Sequence, residues 1–365
     1  MHLFDPITIR GLDISNRLWL APMCQYSAES DGPNLGRPNE WHFQHYGSRA
    51  LGGFGLVTVE ATGITAQGRI SPHCLVLNND ADVPAFAKLA GLIEAGGAVP
   101  AIQIGHAGRK GSSQVPWEGR GSVSVSDGGW ETIAPSAIGY DDKLGTPREM
   151  TAAEITDTIS QFARSAKLAV EAGFKAIELH GAHGYLMHQF LSPVSNRRED
   201  EWGGDFAGRT RFFSDVVRAV REAIGDVPLI ARISATDWLE ETASTHDGSE
   251  GWKVAETIRL VRELPEVDFW NVSTGGNVPV RIPTGPGYQV PFSRRIKEET
   301  GASTGVAGLI ANATQAGVVV HDEHADVVYI GRVALHHPYI ARQWAAQMGE
   351  PVTWPNQYLR GVNER

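Results

Sequence analysis

Six consecutive residues, His180-Gly181-Ala182-His183-Gly184-Tyr185, place two imidazoles and a phenol in one short stretch. Imidazole N–H groups can hold a carbonyl or nitro oxygen. A phenol, with an ordinary pKa of about 10, is protonated at neutral pH and can deliver a proton. The stretch follows the apolar run 174–179, which reads as a buried strand, so its glycines mark the loop at the strand's C-terminal end. An H-x-x-H pair can also bind metal. Structural zinc wants about four ligands and catalytic zinc about three, and only Glu178, inside the strand, offers a third here. A metal-dependent hydrolase or lyase using His180 and His183 is therefore the alternative reading.

These groups need a scaffold. Apolar runs recur at 18–23, 56–59, 98–104, 174–179, 228–233, 269–273, 304–309 and 327–330. They are near-continuous rather than alternating, as parallel strands buried on both faces should be. Helical patterns fall between most of them, at 39–51, 82–94, 151–172, 212–224, 252–264, 290–300 and 313–321, with a last helix near Pro338. Thr151 and Glu154 form a capping box. Residues 1–17 read as a small hairpin or cover, and 107–148, rich in Gly, Ser and Pro, as a functional insertion or cap. The economical fold is a (β/α)8 TIM barrel, a single domain over 1–365 with a short N-terminal cover and a long insertion after the third strand. A doubly wound sheet competes poorly, because no G-x-G-x-x-G follows the first strand.

Composition narrows the partners. The 365-residue chain carries a formal charge of −10, which argues against nucleic acid. Cys24 and Cys74 are its only cysteines, too few for a disulfide framework. No apolar run approaches the ~18 residues of a membrane span. No secretory signal opens the chain, and a reducing cytosol is the expected compartment.

A barrel brings its strand ends to one mouth. Collected there are Pro22, Met23, Cys24, Tyr26, Ala61, Gln103, His180, His183, Tyr185, Arg232, Gly275, Gly276, Gly308, Gly331 and Arg332. Glycines cluster at the last three strands, where barrels bind phosphate, and Arg332 adds a cation. Gln103 and Arg232 can bond the polar edge of a ring. Such a mouth suits a phosphorylated cofactor lying across it.

The chain resembles the old yellow enzymes, FMN-dependent ene reductases, and within them the xenobiotic reductase and thermophilic-like NADPH dehydrogenase subgroup. The resemblance rests on Ala21-Pro22-Met23-Cys24-Gln25-Tyr26, Val59-Glu60-Ala61-Thr62, Gln103 to Arg109, His180 to Tyr185, Gln189 to Arg198, Asp200 to Gly204, Pro286 to Val290, Gly331-Arg332 and Gln357 to Arg360. It implies that Ala21, Pro22, Met23 and Cys24 lie against FMN, with the cysteine near N5. Ala61, Gln103 and Arg232 would hold the ring, and Gly308, Gly331 and Arg332 the phosphate and ribityl chain. His180 and His183 would bind the substrate oxygen, Tyr185 would protonate the α-carbon, and Tyr26 would lie over the substrate. NADPH, or NADH, would reduce FMN before an activated alkene enters the same pocket. The resemblance also implies a homodimer or dimer of dimers, whose C-terminal tail brings Trp354 or Arg360 to the neighbouring site. Relatives with an iron–sulfur cluster need about four cysteine ligands, and this chain has two.

Overall fold

A computed structural model of the chain describes residues 1–239 and 250–361. Two short strands come first, β1 (Ile7–Ile9) and β2 (Leu12–Ile14), paired antiparallel. Their turn residues, Arg10 and Gly11, both have positive φ, the turn geometry that matches strand twist. The chain then runs β3 (Leu18–Leu20), α1 (Glu40–Leu51), β4 (Leu56–Gly63), α2 (Val83–Ala95), β5 (Val99–Gly105), the short strands β6 (Ile133–Ala134) and β7 (Arg148–Glu149), α3 (Ala152–Glu171) and β8 (Ala176–Gly181). It continues α4 (Leu186–Leu191), α5 (Phe206–Ile224), β9 (Leu229–Ser234), α6 (Val254–Glu263), β10 (Phe269–Ser273), α7 (Val290–Thr300), β11 (Thr304–Val306), α8 (Ala313–His321), β12 (Val327–Ile330), α9 (Arg332–His336) and α10 (Ile340–Gln347). Strands β3, β4, β5, β8, β9, β10, β11 and β12 pair in that order, all parallel, and β12 pairs back onto β3. The expected (β/α)8 barrel is what the sequence builds.

Local chemistry explains where elements begin. Thr151 accepts the Glu154 N–H at 3.2 Å while Glu154 accepts the Thr151 N–H at 2.8 Å, which starts α3 where the capping box predicts. Helix α5 begins six residues before the expected 212, because Asp205 caps it by accepting the Gly208 N–H at 3.0 Å. Gly208 hides that start from a periodicity reading, yet glycine is required: a Cβ there would lie 1.9 Å from the Gly203 carbonyl oxygen. Helix α4 was not anticipated, since its six residues are too short to show a helical period.

Strand alternation sorts the barrel interior into layers. Trp19, Ala101, Ala176, Ile230, Phe269 and Val327 form an apolar layer, and Ile9 and Ile14 of the hairpin pack against it. Two residues further along their strands come Gln103, Glu178, Arg232, Asn271 and Tyr329, a buried polar layer nearer the mouth. A second, larger core lies between strands and helices, with Phe162, Phe190 and Phe212 among its buried rings.

Candidate active site

The mouth is built from strand ends. Between Val59 and Thr62 the β4 register shifts, an irregularity of the kind that re-aims side chains beside active sites. Ala61 falls within it and lines a small void with Gly105, His106, His180 and Tyr185. The mouth also holds an open cleft of about 280 Å³. Pro22, Met23, His183, Arg232, Gly308 and Arg332 line that cleft, as do Ala21 and Gly331.

The loop after β8 is held from every side. The His180 ring stands 4.7 Å from the Tyr185 ring and 5.1 Å from the His183 ring, edge-on to both. His183 and Gly184 take φ of 59° and 73°. Glycine is obligatory at the second, where a Cβ would lie 2.2 Å from the Gly276 carbonyl oxygen. Ser234 Oγ accepts the His183 N–H at 3.0 Å and donates to the Gly275 carbonyl at 2.9 Å. Lys110 Nζ donates to the carbonyls of His183 and Gly276 at 2.8 and 2.9 Å. The Gly184 N–H is accepted by His188 Nδ1 at 3.0 Å, and His188 Nε2 lies 3.0 Å from Asp237 Oδ1. Asp237 Oδ2 accepts from Ser192 Oγ at 2.6 Å and from the Trp252 N–H at 3.0 Å.

Hydrogen bonds also set the tautomers. The Ala182 N–H points at His180 Nδ1, at 3.4 Å, so the His180 proton belongs on Nε2. Gln289 donates its amide nitrogen to the Ala307 carbonyl at 2.9 Å, so its oxygen accepts the hydroxyls of Ser273 and Thr274. Ser273 Oγ therefore accepts from His183 Nε2, 2.7 Å away. The expected pair of free imidazole donors is thus unequal. His180 Nε2–H is uncommitted, whereas His183 spends its proton on Ser273. Burial, with the nearby Arg232 charge, holds both imidazoles well below their ordinary pKa, and they are neutral at pH 7. Burial raises the Tyr185 and Tyr26 phenols, keeping them protonated.

The remaining expected residues divide. Gln103 donates to Glu178 at 2.5 Å, and Asn271 donates to the other Glu178 oxygen at 2.9 Å. Glu178 thus points into the barrel interior and is no third ligand beside the two histidines. Among the described residues, no group of three or more His, Cys, Asp or Glu is placed to hold a metal. Cys24 sits at the mouth beside Tyr26, and Tyr26 meets Trp117 of the insertion at 5.9 Å. Trp354 lies away from the mouth, in a groove with Tyr339, Gln343 and Tyr358, and Arg360 is exposed in the last turn. Neither lines the cleft of its own chain. Sequence reasoning passed over Lys110, Ser273 and Gln289. Ser273 ends β10, the same positional rule that found the others, and Gln289 stands inside the Pro286 to Val290 motif.

Arg232 is 8% exposed, and its Nε has no hydrogen-bond partner among the described residues. A buried cation with an unmet donor is costly, so the cleft suits an acceptor-rich or anionic ligand. Arg332 lies farther along the same cleft, where glycines 308 and 331 present bare backbone. The two arginines and the bare glycine backbone complement a ligand with a polar ring edge and a phosphate.

Residues 2–350 match the NADH:flavin oxidoreductase / NADH oxidase family. An NADPH dehydrogenase of Geobacillus thermodenitrificans is 43% identical over 361 residues, covering 98% of each chain. Morphinone reductase in complex with tetrahydroNAD shares the fold at a TM-score of 0.75 and 25% identity, over 98% of this chain and 93% of that one. The old yellow enzyme homologue of Zymomonas mobilis does so at 0.76 and 24%, over 97% and 94%. The protein belongs to the NADH:flavin oxidoreductase / NADH oxidase family of FMN enzymes.

Proposed function

We propose that the protein reduces the C=C bond of α,β-unsaturated carbonyl and nitro compounds at the expense of NAD(P)H. The observation that carries this reading is one juxtaposition. A neutral imidazole and a protonated phenol, their rings 4.7 Å apart, stand beside a cleft whose buried arginine has an unmet Nε donor. The curated relatives' name, NADPH dehydrogenase, supports the reductant.

Ala21, Pro22, Met23, Arg232, Gly308, Gly331 and Arg332 would hold FMN, which would supply the hydride chemistry between nicotinamide and alkene. Arg232 places positive charge where the reduced ring would gather negative charge. Gln103, with its nitrogen committed to Glu178, offers an amide oxygen to a ring N–H. His180 holds the substrate's oxygen through Nε2–H and polarises the conjugated system, so the β-carbon accepts hydride. His183 joins it by exchanging its Ser273 bond for the same oxygen. Tyr185 gives its proton to the α-carbon and is reprotonated from water. One hydride and one proton are thus added, and NAD(P)H is consumed. Met23, Cys24 and Ala21 pack against the cofactor, and Tyr26 with Trp117 closes over the substrate. Since Trp354 and Arg360 lie off their own mouth, a dimer would let the tail complete a neighbour's site.

The test is a two-stage anaerobic experiment on FMN-loaded protein. NADPH should bleach the flavin, and 2-cyclohexenone should restore its colour. His180→Ala should keep FMN and NADPH bleaching but lose most enone reoxidation and weaken phenol binding. Bleaching without any reoxidation of the unmutated protein by enones, maleimides or nitroalkenes would remove the alkene assignment.

A further inference from the structure

Tyr185 is a phenol that its surroundings hold back from acting as an acid. Burial raises its pKa, and the neighbouring Cys24, Cys74 and Tyr140 side chains push the same way, with Arg232 opposing them. A tyrosinate formed there would be a poorly solvated anion, so the proton leaves reluctantly unless positive charge stands near. Arg232 lines the cofactor cleft. A second cation lies against the phenol ring itself. Lys110 Nζ stands over the Tyr185 ring at 5.3 Å from its centre and over the Tyr140 ring at 4.4 Å.

The fold fixes that ammonium from several sides. Lys110 closes a short 3-10 turn, Gly108–Lys110, just after β5. Its neighbour Arg109 donates to the carbonyls of Ile138 and Gly139, both at 3.2 Å, and to the Asn277 carbonyl at 2.6 Å. Those bonds seat the insertion so that Tyr140 covers Nζ. The carbonyls of His183 and Gly276 hold Nζ from the loop. Two carbonyl dipoles and two aromatic faces thus cage a cation beside the proposed acid. The charged and titratable groups around it are mixed. Burial and the Arg109 charge oppose the ammonium, and Asp141 favours it. His180 and His183 both feel its charge, and His188 stands behind them against Asp237.

We propose that Lys110 is a positioning residue for proton delivery, its ammonium sustaining the tyrosinate that Tyr185 becomes when its proton passes to the substrate carbon. In that step the Tyr185 O–H bond breaks, a C–H bond forms at the α-carbon, and the electron pair stays on the phenol oxygen. Water then returns the proton and leaves hydroxide to the solvent. Lys110 gains and loses nothing. Its charge lowers the barrier by matching negative charge that exists only once transfer is under way.

The inference rests on the proposed function, since it needs Tyr185 to be the acid. FMN-loaded protein is reduced anaerobically, and its reoxidation by 2-cyclohexenone is timed at about pH 6, where the ammonium is charged. Lys110→Met should slow reoxidation roughly tenfold, the scale of one charge facing a half-formed anion across a few ångströms. Reduction of the flavin by NADPH should hardly change. Lys110→Arg keeps the charge and should recover most of the rate. In a Tyr185→Phe background, Lys110→Met should cost nothing further, because the charge has no tyrosinate to act on. The advantage of wild type over Lys110→Met should shrink as pH rises past about 7, whereas Lys110→Arg should hold its rate. A Lys110→Met loss of the same size with and without the Tyr185 hydroxyl would make Lys110 a support for the loop backbone and overturn the inference. Tyr185→Phe as fast as wild type would remove the acid itself, a failure of the proposed function that takes this inference with it. A slow Tyr185→Phe beside an unimpaired Lys110→Met would overturn this inference alone.

Discussion

The loop after β8 and the cleft bounded by β9 to β12 share one mouth but are stabilised in opposite ways. In the loop, the His183 and Gly184 N–H groups, the His183 carbonyl and the facing Gly276 carbonyl all have partners, and behind them one Asp237 oxygen accepts from Ser192 and the Trp252 N–H while the other lies 3.0 Å from His188 Nε2. In the cleft, Arg232 is buried with an unmet donor and glycines leave backbone bare. A loop whose backbone groups are bonded keeps its geometry without ligand, so the substrate-side groups are pre-organised. An unsatisfied cleft gains more from its ligand than a satisfied one would, because the ligand removes a penalty already present.

The largest expected effect tests the loop's chemistry without touching its frame. Tyr185→Phe keeps the ring edge against His180 and removes only the acid. Alkene reduction should slow about 10²- to 10⁴-fold, the usual worth of a positioned general acid. NADPH reduction of the flavin and the melting temperature should hardly change. Equal slowing of both half-reactions would assign Tyr185 to the framework rather than to proton delivery.

Breaking the frame should do the reverse. Asp237 is held below the ordinary carboxylate range; burial pushes it up, but His188 and Ser192 outweigh that. Asp237→Ala leaves His188, the Ser192 hydroxyl and the Trp252 N–H buried without their acceptor. The cost should be about 3–5 kcal/mol of stability, read by denaturant titration. A loss within ordinary surface values would show that the loop does not depend on this network.

Much of this contrast was legible in the sequence, for a physical reason. The strand-end rule converts position along a strand into position in space, so strand ends alone collect His180, Arg232, Gly308 and Arg332 at one mouth. Alternation alone does not say whether Glu178 points inward; the register that sets it beside Gln103 and its bond to that amide do. What stayed hidden depends on two segments meeting. Lys110 reads as an ordinary loop cation, and only the fold brings it to the His183 carbonyl. The Ser273 bond that occupies His183 passes through Gln289, sixteen residues away in the chain.

On the cleft side the comparison predicts effects of opposite sign. Arg232→Met removes a buried, incompletely bonded cation. FMN should bind about 10- to 100-fold more weakly, the range expected for losing a charged hydrogen bond. The cofactor-free protein should melt no lower than wild type. A clear fall in its stability would mean that Arg232 is satisfied by its neighbours, Glu178 among them, and the contrast between the two regions would fail.

The smallest effect concerns Lys110, where the two regions touch. Burial lowers its pKa from 10.5 to about 7 in the folded protein. Between those values the unfolded chain holds a proton that the folded chain has released, so stability should rise with pH across that window. Below about pH 7 both states are protonated, and this contribution is level. Lys110→Met should flatten the slope of melting temperature between pH 7 and 10 relative to wild type. An unchanged slope would show that the ammonium, bonded to the carbonyls of His183 and Gly276, keeps its charge as the medium turns alkaline, making the loop's cation a fixed strut rather than a titrating one.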